Sequence, residues 1–450
     1  MRTMSSNGAD PATNPGMHET AETAPDWKSL WAMLLLQAQT VFNTKVAQFT
    51  LIGLAGVIAG KLVQDNPSVQ GTQAYHSLKN AEQVLFAISS ATFLLIAPLS
   101  GWVADRFSKR SVLIGCLWTQ SFALAWITAC LYFRQFWLGA IGFCLIEIQA
   151  TLANPAKFGI CKELVGSTGL SRAVGLLQML IVVSIITGTV VGGQAFAALS
   201  PLKGDWQAAI YVVAGLLAAT VVQFLLGFLI QRTPVQSREP FHPGLLWCHF
   251  ERIAEVWSHQ IFRHPALGAA YFSFAAQVTS LGLILVGKEI YPLPGEATAK
   301  SAILVGLVGI GNAVGSLVVA LICRKRIILG TVAVGGLGMA AGLAAVASLN
   351  LATSPPPLYF GSVGTIGFFA ALFLVPLYSF IQEKAEPERR GRITSTVNIM
   401  NSMAGLAGIG FVAALGFFKL DSHFIFTVLS GMTLLVGFII IAILRTVPRP

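Results

Sequence analysis

Residues 101–110 read Gly-Trp-Val-Ala-Asp-Arg-Phe-Ser-Lys-Arg and lie between two long apolar runs. Gly101 has no side chain and lets a second helix approach closely. Asp105 can meet the positive N-terminal end of a facing helix, while the bases that follow it stay in water. Such a contact would hold one conformation and would have to break in another; the alternative is that the bases only set the topology of a loop. We predict a gating role for these residues: Gly101, Asp105, Arg106 and Arg110.

The composition places the whole chain in a membrane. Of its 450 residues, 55% are apolar and 11% are charged, whereas roughly 25% of the residues of an average soluble domain are charged. A soluble fold of this length could not cover its surface with so few charges. The formal net charge of +10 is explained by basic loops on one side of a membrane. The composition therefore excludes a soluble enzyme and a nucleic-acid-binding protein.

Apolar runs long enough to cross a bilayer, about 20 residues each, recur throughout the chain. Twelve are predicted, at 31–60, 84–104, 111–133, 136–155, 172–199, 207–230, 265–287, 301–323, 327–349, 357–380, 393–418 and 423–445. An even number of spans places both termini on the same side. Most of the Lys and Arg residues outside the spans fall on that side, which predicts cytoplasmic termini. The polar residues 1–30 predict a disordered cytosolic tail.

The two parts of the chain repeat each other. Four positions recur 220 residues later: Glu163, Arg172, Gln178 and Gly188 match Glu383, Arg392, Asn398 and Gly408. The longest connection on the side of the termini, 231–264, therefore separates two six-span halves, 31–230 and 265–450. Within this connection, apolar residues at helical spacing, Ile253 and Trp257 among them, predict an amphipathic helix on the membrane surface or a stiff linker.

Charged side chains deep inside spans are expected to carry function. Lys45 in span one and Glu147 in span four are the two that we place there. A charge at this depth is costly and usually faces a cavity or a partner. We predict a Lys45–Glu147 pair, direct or through water, which is either a fixed link or a switch that releases Lys45 to a substrate phosphate or Glu147 to a proton. Neutral polar residues are expected to line the same cavity or to join helices: Asn43, Gln149, Gln178, Gln277 and Asn398.

Several segments carry a family resemblance. The stretch 101–110 resembles the signature between spans two and three of the major facilitator superfamily, with Ser108 in place of the second Gly. Residues 154–164, Asn-Pro-Ala-Lys-Phe-Gly-Ile-Cys-Lys-Glu-Leu, resemble a segment of bacterial lysophospholipid transporters and of the membrane half of acyl-ACP synthetase/acyltransferase fusions. Residues 187–193 and 388–392 continue this likeness in the same order. The first span departs from the family, because Phe42-Asn43-Thr44-Lys45 lacks an acid and gains a base.

The resemblance implies an all-α polytopic membrane protein with the major facilitator fold, in which twelve transmembrane helices form two six-helix halves that rock about a midplane site. It implies that the protein flips lysophospholipids, such as lysophosphatidylethanolamine, across a bacterial inner membrane. The partners implied are the lipid substrate, the bilayer and a possible separate acyltransferase. Positions that match the family's segments at the cytoplasmic mouth are expected to gate or to guide the lipid: Lys157, Glu163, Arg172, Glu383, Arg389 and Arg392.

Three other functions stay open. A proton-coupled exporter of amphiphilic drugs or siderophores could use the same fold, with Glu147 as its titratable group. A membrane-embedded enzyme would need a catalytic motif, yet none of the seven His begins an H-x4-D motif and the six Cys show no metal-ligand spacing. We therefore expect no metal, no cofactor, no catalysis and no nucleic-acid partner. A membrane scaffold or sensor that transports nothing is the third alternative.

Overall fold

The computed structural model describes residues 26–232 and 253–446, apart from 255, 292, 323–327, 329, 351, 385–389 and 419. In this part of the chain we find helices and no β-strand. Twelve helices are long and apolar enough to cross a membrane, which confirms the predicted all-α membrane fold. Most of the predicted tail, 1–30, lies outside the described residues, as does most of the predicted amphipathic connection, 231–264.

In the described part of the chain we number seven α-helices in the first half and six in the second. The first seven are α1 (Trp27–Asp65), α2 (Gln73–Lys79), α3 (Ala81–Arg106), α4 (Lys109–Tyr132), α5 (Phe136–Gly166), α6 (Arg172–Lys203) and α7 (Asp205–Leu229). The others are α8 (Gln260–Ile290), α9 (Pro294–Ile322), α10 (Gly330–Ser348), α11 (Pro356–Lys384), α12 (Arg390–Phe417) and α13 (Ser422–Thr446). All except the short α2 are spans. The run from α5 to α6 is helical apart from a kink at Gly166, whose φ of 67° and ψ of −173° suit a residue without a side chain.

Asp26 fixes the start of α1. The Ser29 hydroxyl donates to its carboxylate at 2.6 Å and the Ser29 backbone N–H at 3.0 Å, which satisfies a free helix N–H and holds the pKa of Asp26 below its usual value. The Asp26 N–H donates to the Leu164 carbonyl at 2.8 Å and ties α1 to the end of α5. We call this end of the bundle, where Trp27 and Gly166 lie, the terminal end; the opposite end, where α1 finishes at Asp65, is the far end.

Each half is held together by helices whose backbones touch. A Cβ atom at Gly311 of α9 would collide with the Gly364 carbonyl of α11, and one at Gly367 would collide with the Val308 carbonyl. In the first half, a Cβ at Gly188 of α6 would lie 2.8 Å from the Phe42 carbonyl of α1. Small residues permit this approach, which gives tight van der Waals packing between helices.

The halves meet through α6 against α9 and α3 against α12. A Cβ at Gly193 would lie 2.7 Å from the Ala302 side chain, and one at Gly306 would lie 2.8 Å from Val190. These contacts lie nearer the far end than the terminal end, because α6 finishes at the far end with Lys203 and α9 begins there.

The buried apolar core shows which end is open. One large cluster, which includes Phe49, Phe196 and Ala302, runs through both halves. Near the terminal end the described apolar residues form separate clusters, one around Leu113 in the first half and one around Val397 in the second. Among the described residues, the buried apolar clusters thus join the two halves toward the far end and leave them separate at the terminal end.

The close crossing of α9 and α11 predicts a large difference between two glycines of α11. We expect Gly367→Ala to lower the stability by about 1–3 kcal/mol, because its Cβ must displace the backbone of α9. Gly361→Ala is the matched control, since nothing lies within 4 Å of its Cβ position, and we expect a change within about 0.5 kcal/mol. Thermal unfolding of the purified variants in detergent measures both. Equal melting temperatures for the two variants would contradict this packing.

Candidate functional site

Lys45 lies at mid-depth, where α1 passes α3. Its ammonium group donates a hydrogen bond to the Gln48 side-chain oxygen at 2.8 Å and lies 6.0 Å from the centre of the Phe86 ring. Lys45 and Gln48 are three residues apart on one helix face, which allows this bond. Gln48 is fully buried and its side-chain NH₂ group has no partner. Lys45 and Gln48 together thus present several N–H donors at one place.

Glu147 of α5 reaches the same side of α3. Its carboxylate accepts a hydrogen bond from the Ser89 hydroxyl at 2.7 Å. Among the described residues, neither Lys45 nor Glu147 forms an ion pair, although the charge of Glu147 is close enough to act on Lys45. The prediction of a direct pair is wrong for this conformation, because each group is held by a neutral neighbour, Gln48 or Ser89. A pair bridged by water stays a prediction.

Asn43 joins two helices of the first half. Its side-chain NH₂ group donates to the Gln223 oxygen of α7 at 3.2 Å, and the Gln223 NH₂ group donates to the Thr40 hydroxyl at 2.9 Å. Asn43 and Gln223 are fully buried. Of the two roles predicted for Asn43, lining the cavity or joining helices, it therefore has the second, and it does not face Lys45.

Gln277 links the two halves at mid-depth. Its side-chain NH₂ group donates to the Ser90 hydroxyl of α3 at 3.4 Å, one position along from Ser89. Gly405 of α12 leaves room for this contact, because a Cβ there would lie 3.4 Å from both side chains. Gln277 thus reaches α3 next to Ser89, the residue that binds Glu147, and its place in a common cavity stays a prediction.

The other predicted neutral residues lie apart. Asn398 accepts a hydrogen bond from the Tyr378 hydroxyl at 3.0 Å, and the same hydroxyl accepts one from the Asn401 side chain at 2.5 Å. This network joins α11 to α12 within the second half. Gln149 is buried and its NH₂ group has no partner, while Gln178 is exposed on α6. Among the described residues of the second half, the charged side chains lie near helix ends, so the charge at mid-depth comes from the first half.

At the terminal end, Lys109 and Glu163 form an ion pair between α4 and α5. Lys109 is buried, and Gly159 makes room for it, since a Cβ at Gly159 would lie 2.5 Å from the Lys109 side chain. The pair lies inside the first half. Glu163 therefore links α5 to α4 and contributes to the rigidity of that half.

Within the described part of the chain, the close approach predicted at Gly101 and Asp105 is not seen. Nothing lies within 4 Å of a Cβ at Gly101, and Asp105 is exposed. The physical reason is that the described parts of the two halves lie apart at the terminal end, so no helix of the second half faces Gly101 and Asp105 there. Arg106 is half-buried. Arg110 donates to the carbonyls of Gly227 and Phe228 at 3.5 and 3.4 Å, where a cation stabilises the C-terminal end of α7.

The remaining predicted gating residues also lie at the terminal end. Arg172 stacks on the Trp27 ring at 5.0 Å and joins the starts of α6 and α1. Lys157 lies over the ring of its neighbour Phe158 at 5.6 Å, and Glu383 is exposed. Arg389 and the side chain of Arg392 lie outside the described part of the chain.

The sequence analysis missed the contact that closes the far end. The Lys288 ammonium of α8 donates to the Glu82 carboxylate of α3 at 2.6 Å and to the Lys79 carbonyl at 2.6 Å. This ion pair crosses between the halves. Lys61 and Asp205 form a second ion pair at the same end, but within the first half. Both pairs involve charges at span boundaries, which sequence reasoning had assigned only to loops.

Comparison with known proteins gives one consistent result. Residues 42–409 match the family model of the Major Facilitator Superfamily. The chain is 26% identical over 304 residues to the lysophospholipid transporter LplT of Photorhabdus laumondii, which covers 67% of this chain and 70% of the relative. It is 26% identical over 341 residues to LplT of Citrobacter koseri, with 73% and 78% covered.

Solved structures share the fold. The nucleoside transporter NupG superposes with a TM-score of 0.65 at 13% identity, covering 92% of this chain and 99% of that chain. The inward open conformation of the xylose transporter XylE from E. coli superposes with a TM-score of 0.63 at 14% identity, covering 94% and 96%. At these identities the likeness concerns the fold alone.

The Lys288–Glu82 ion pair predicts how firmly the far end is closed. We expect Glu82→Gln to raise the population open at the far end roughly tenfold, because a charged hydrogen bond between the halves contributes about 1.5 kcal/mol. Electron–electron distance measurements between spin labels at Gln70→Cys and Thr353→Cys, in a chain whose native cysteines are replaced, report the opening. Lys61→Met is the matched control, since its ion pair lies within one half. An unchanged distance distribution in Glu82→Gln would refute the role of the pair.

Proposed function

Because the chain belongs to the Major Facilitator Superfamily, we propose that it is a membrane transporter that works by alternating access and flips lysophospholipids across a bacterial inner membrane. The observation that carries this proposal is Lys45, a cation at mid-depth whose described hydrogen bond goes to the neutral side chain of Gln48. A lipid phosphate can accept hydrogen bonds from the N–H donors that Lys45 does not use in its bond to Gln48. The names of the relatives support the same class of substrate.

The surroundings of Lys45 suit a one-chain amphiphile. The first half contributes the charged groups, whereas the facing part of the second half contributes aromatic side chains such as Phe274 and Phe411, whose ring centres are 5.6 Å apart. A polar head group needs the former and an acyl chain the latter. The separation of the halves at the terminal end gives such a lipid a way out of the site. We propose that the released lipid is re-acylated by a separate acyltransferase and that this chain catalyses no reaction itself.

We propose that the termini are cytoplasmic, because the basic residues concentrate at the terminal end. The present conformation then opens to the cytoplasm. In a chain without native cysteines, we expect Gln70→Cys at the far end to react with a membrane-impermeant maleimide in intact spheroplasts. Arg232→Cys, which is exposed at the terminal end, should react only after permeabilisation. The reverse pattern would show that the orientation is inverted.

Lys45 offers a test of lipid transport. In spheroplasts that lack their own lysophospholipid flippase, the chain should increase the conversion of external radiolabelled lysophosphatidylethanolamine to diacyl lipid by a cytosolic acyltransferase. We expect Lys45→Met to reduce this conversion at least roughly tenfold, since it removes a charged hydrogen-bond donor to the phosphate. Lys203→Met removes a charge from an exposed residue at the far end and should leave the rate unchanged.

No conversion by the wild-type chain, with the protein present in the membrane, would refute lysophospholipid flipping. The exporter of amphiphilic drugs or siderophores would then be the better interpretation. Its signature is export that depends on a pH gradient and is abolished by Glu147→Gln, because the half-buried Glu147 carboxylate is the titratable group beside the cavity. A chain that moves neither kind of molecule would be a scaffold or sensor.

A further inference from the structure

A cavity at the far end of the second half plays no part in the proposed transport. It measures about 330 Å³ and lies between the ends of α8 and α10 and the starts of α11 and α13. Small-molecule sites in proteins span about 300–1,000 Å³. Asn350 and Asp421 are exposed at the mouth of this cavity, whereas Val286, Tyr359 and Phe426 form buried walls. All four helices belong to one half, so the cavity does not depend on how the two halves are placed.

Two carboxylates make this cavity negative. Glu289 accepts hydrogen bonds from the Ser422 backbone N–H, at 3.0 Å, and from the Ser422 hydroxyl. Asp421 accepts one from the Phe424 N–H at 3.0 Å. Both carboxylates thus face the start of α13, whose dipole offers only about half a positive charge. Among the described residues neither of them forms an ion pair, so the cavity keeps an excess of negative charge.

His423 adds a neutral acceptor to the same lining. Its Nδ1 atom lies 2.9 Å from the Ala347 carbonyl oxygen. Because a carbonyl oxygen only accepts, Nδ1 carries the proton of this bond, and Nε2 of the neutral ring keeps a lone pair. The carboxylates and this nitrogen therefore all accept hydrogen bonds, and a ligand of the cavity has to donate them.

The Tyr359 hydroxyl is a buried polar group that waits for a partner. Tyr359 is 1% exposed, and its hydroxyl forms no hydrogen bond within the described part of the chain. The charge of Glu289 is close enough to act on this phenol, and both residues line the cavity. A buried hydroxyl without a partner destabilises a fold. A ligand that bonds to Tyr359 removes this cost.

We propose that this cavity binds a primary amine with a short apolar body. An ammonium group has three N–H donors, which suit the Glu289 carboxylate, the Tyr359 hydroxyl and Nε2 of His423. The apolar body lies against Val286 and Phe426, as in other small-molecule sites whose walls are mostly apolar. The inference does not rest on the proposed function, since the cavity and Lys45 lie in different halves.

Other classes of ligand fit less well. Both carboxylates would repel an anion, and a quaternary ammonium has no N–H for the Tyr359 hydroxyl. No group of three His, Cys, Asp or Glu side chains suited to a metal ion occurs in the described part of the chain. The ethanolamine head group of a phospholipid carries a phosphate two carbons from its amine, and the apolar walls offer nothing to that phosphate.

Calorimetric titration of the purified full-length chain in dodecyl maltoside, an uncharged detergent, tests the choice of ligand. We expect 2-phenylethylamine to bind at one site per chain. We expect 3-phenylpropionate, which has a carboxylate in place of the ammonium group, to bind at least tenfold more weakly, the factor for one charged hydrogen bond. Empty micelles are the blank. Equal affinities for the two compounds, or no binding of the amine, would overturn the proposal.

Two variants test the residues. Tyr359→Phe breaks no described bond, so without ligand its melting temperature should stay the same or rise, while the Kd for 2-phenylethylamine should rise about tenfold. Glu289→Gln keeps an oxygen for Ser422 and removes the charge, and it should raise the Kd by a similar factor. Glu296→Gln, an exposed residue at the far end, is the matched control and should keep the wild-type Kd. An unchanged Kd in Tyr359→Phe or in Glu289→Gln would overturn the site.

Added lipid tests the source of the amine. Phosphatidylethanolamine mixed into the micelles should leave the Kd for 2-phenylethylamine unchanged, as should the same amount of phosphatidylglycerol. Competition by phosphatidylethanolamine alone would show that a lipid amine occupies the cavity, and it would overturn the choice of a free apolar amine.

Discussion

Contact between helix backbones is the interaction on which this fold depends. Lipid tails are as apolar as leucine side chains, so spans gain little by burying apolar surface against each other and must gain through close packing. Gly311 and Gly367 bring α9 and α11 together until any side chain there would strike a carbonyl group, and Gly188 does the same for α6 against α1. These crossings make each half a stiff body.

The contacts between the halves are of a different kind. They concentrate toward the far end and combine small residues, as at Gly193 and Ala302, with polar links such as Lys288 to Glu82. At the terminal end the described ion pair, Lys109 to Glu163, stays inside one half. Stiff halves joined by contacts that can be exchanged are what rocking about a central site requires.

The fold was predictable because it is determined by local composition. The apolar runs set the spans, and the recurrence of Glu163 and Gln178 at a distance of 220 residues indicated two equivalent halves. The site was only partly predictable. Lys45, Glu147 and Gln277 each reach α3, at Phe86, Ser89 and Ser90, but which side chain each one bonds depends on the rotation and tilt of the helices.

The sequence alone could not predict which of the two conformations the structure shows. Residues 101–110 and the pair Lys288–Glu82 lie at opposite ends, and closing one end opens the other. The same residues are compatible with either state, so the sequence specifies both contacts and cannot say which is formed. The exposed Asp105 and the bonded Glu82 are two consequences of one position of the halves.

On the proposed function, the neutral partners of Lys45 and Glu147 explain how the site binds a charged substrate. If Lys45 and Glu147 were paired with each other, a head group would have to break that pair in a medium of low dielectric constant before it could bind, and this is costly. Gln48 and Ser89 instead hold the two side chains in place, so a charged head group could bind either of them without first breaking an ion pair.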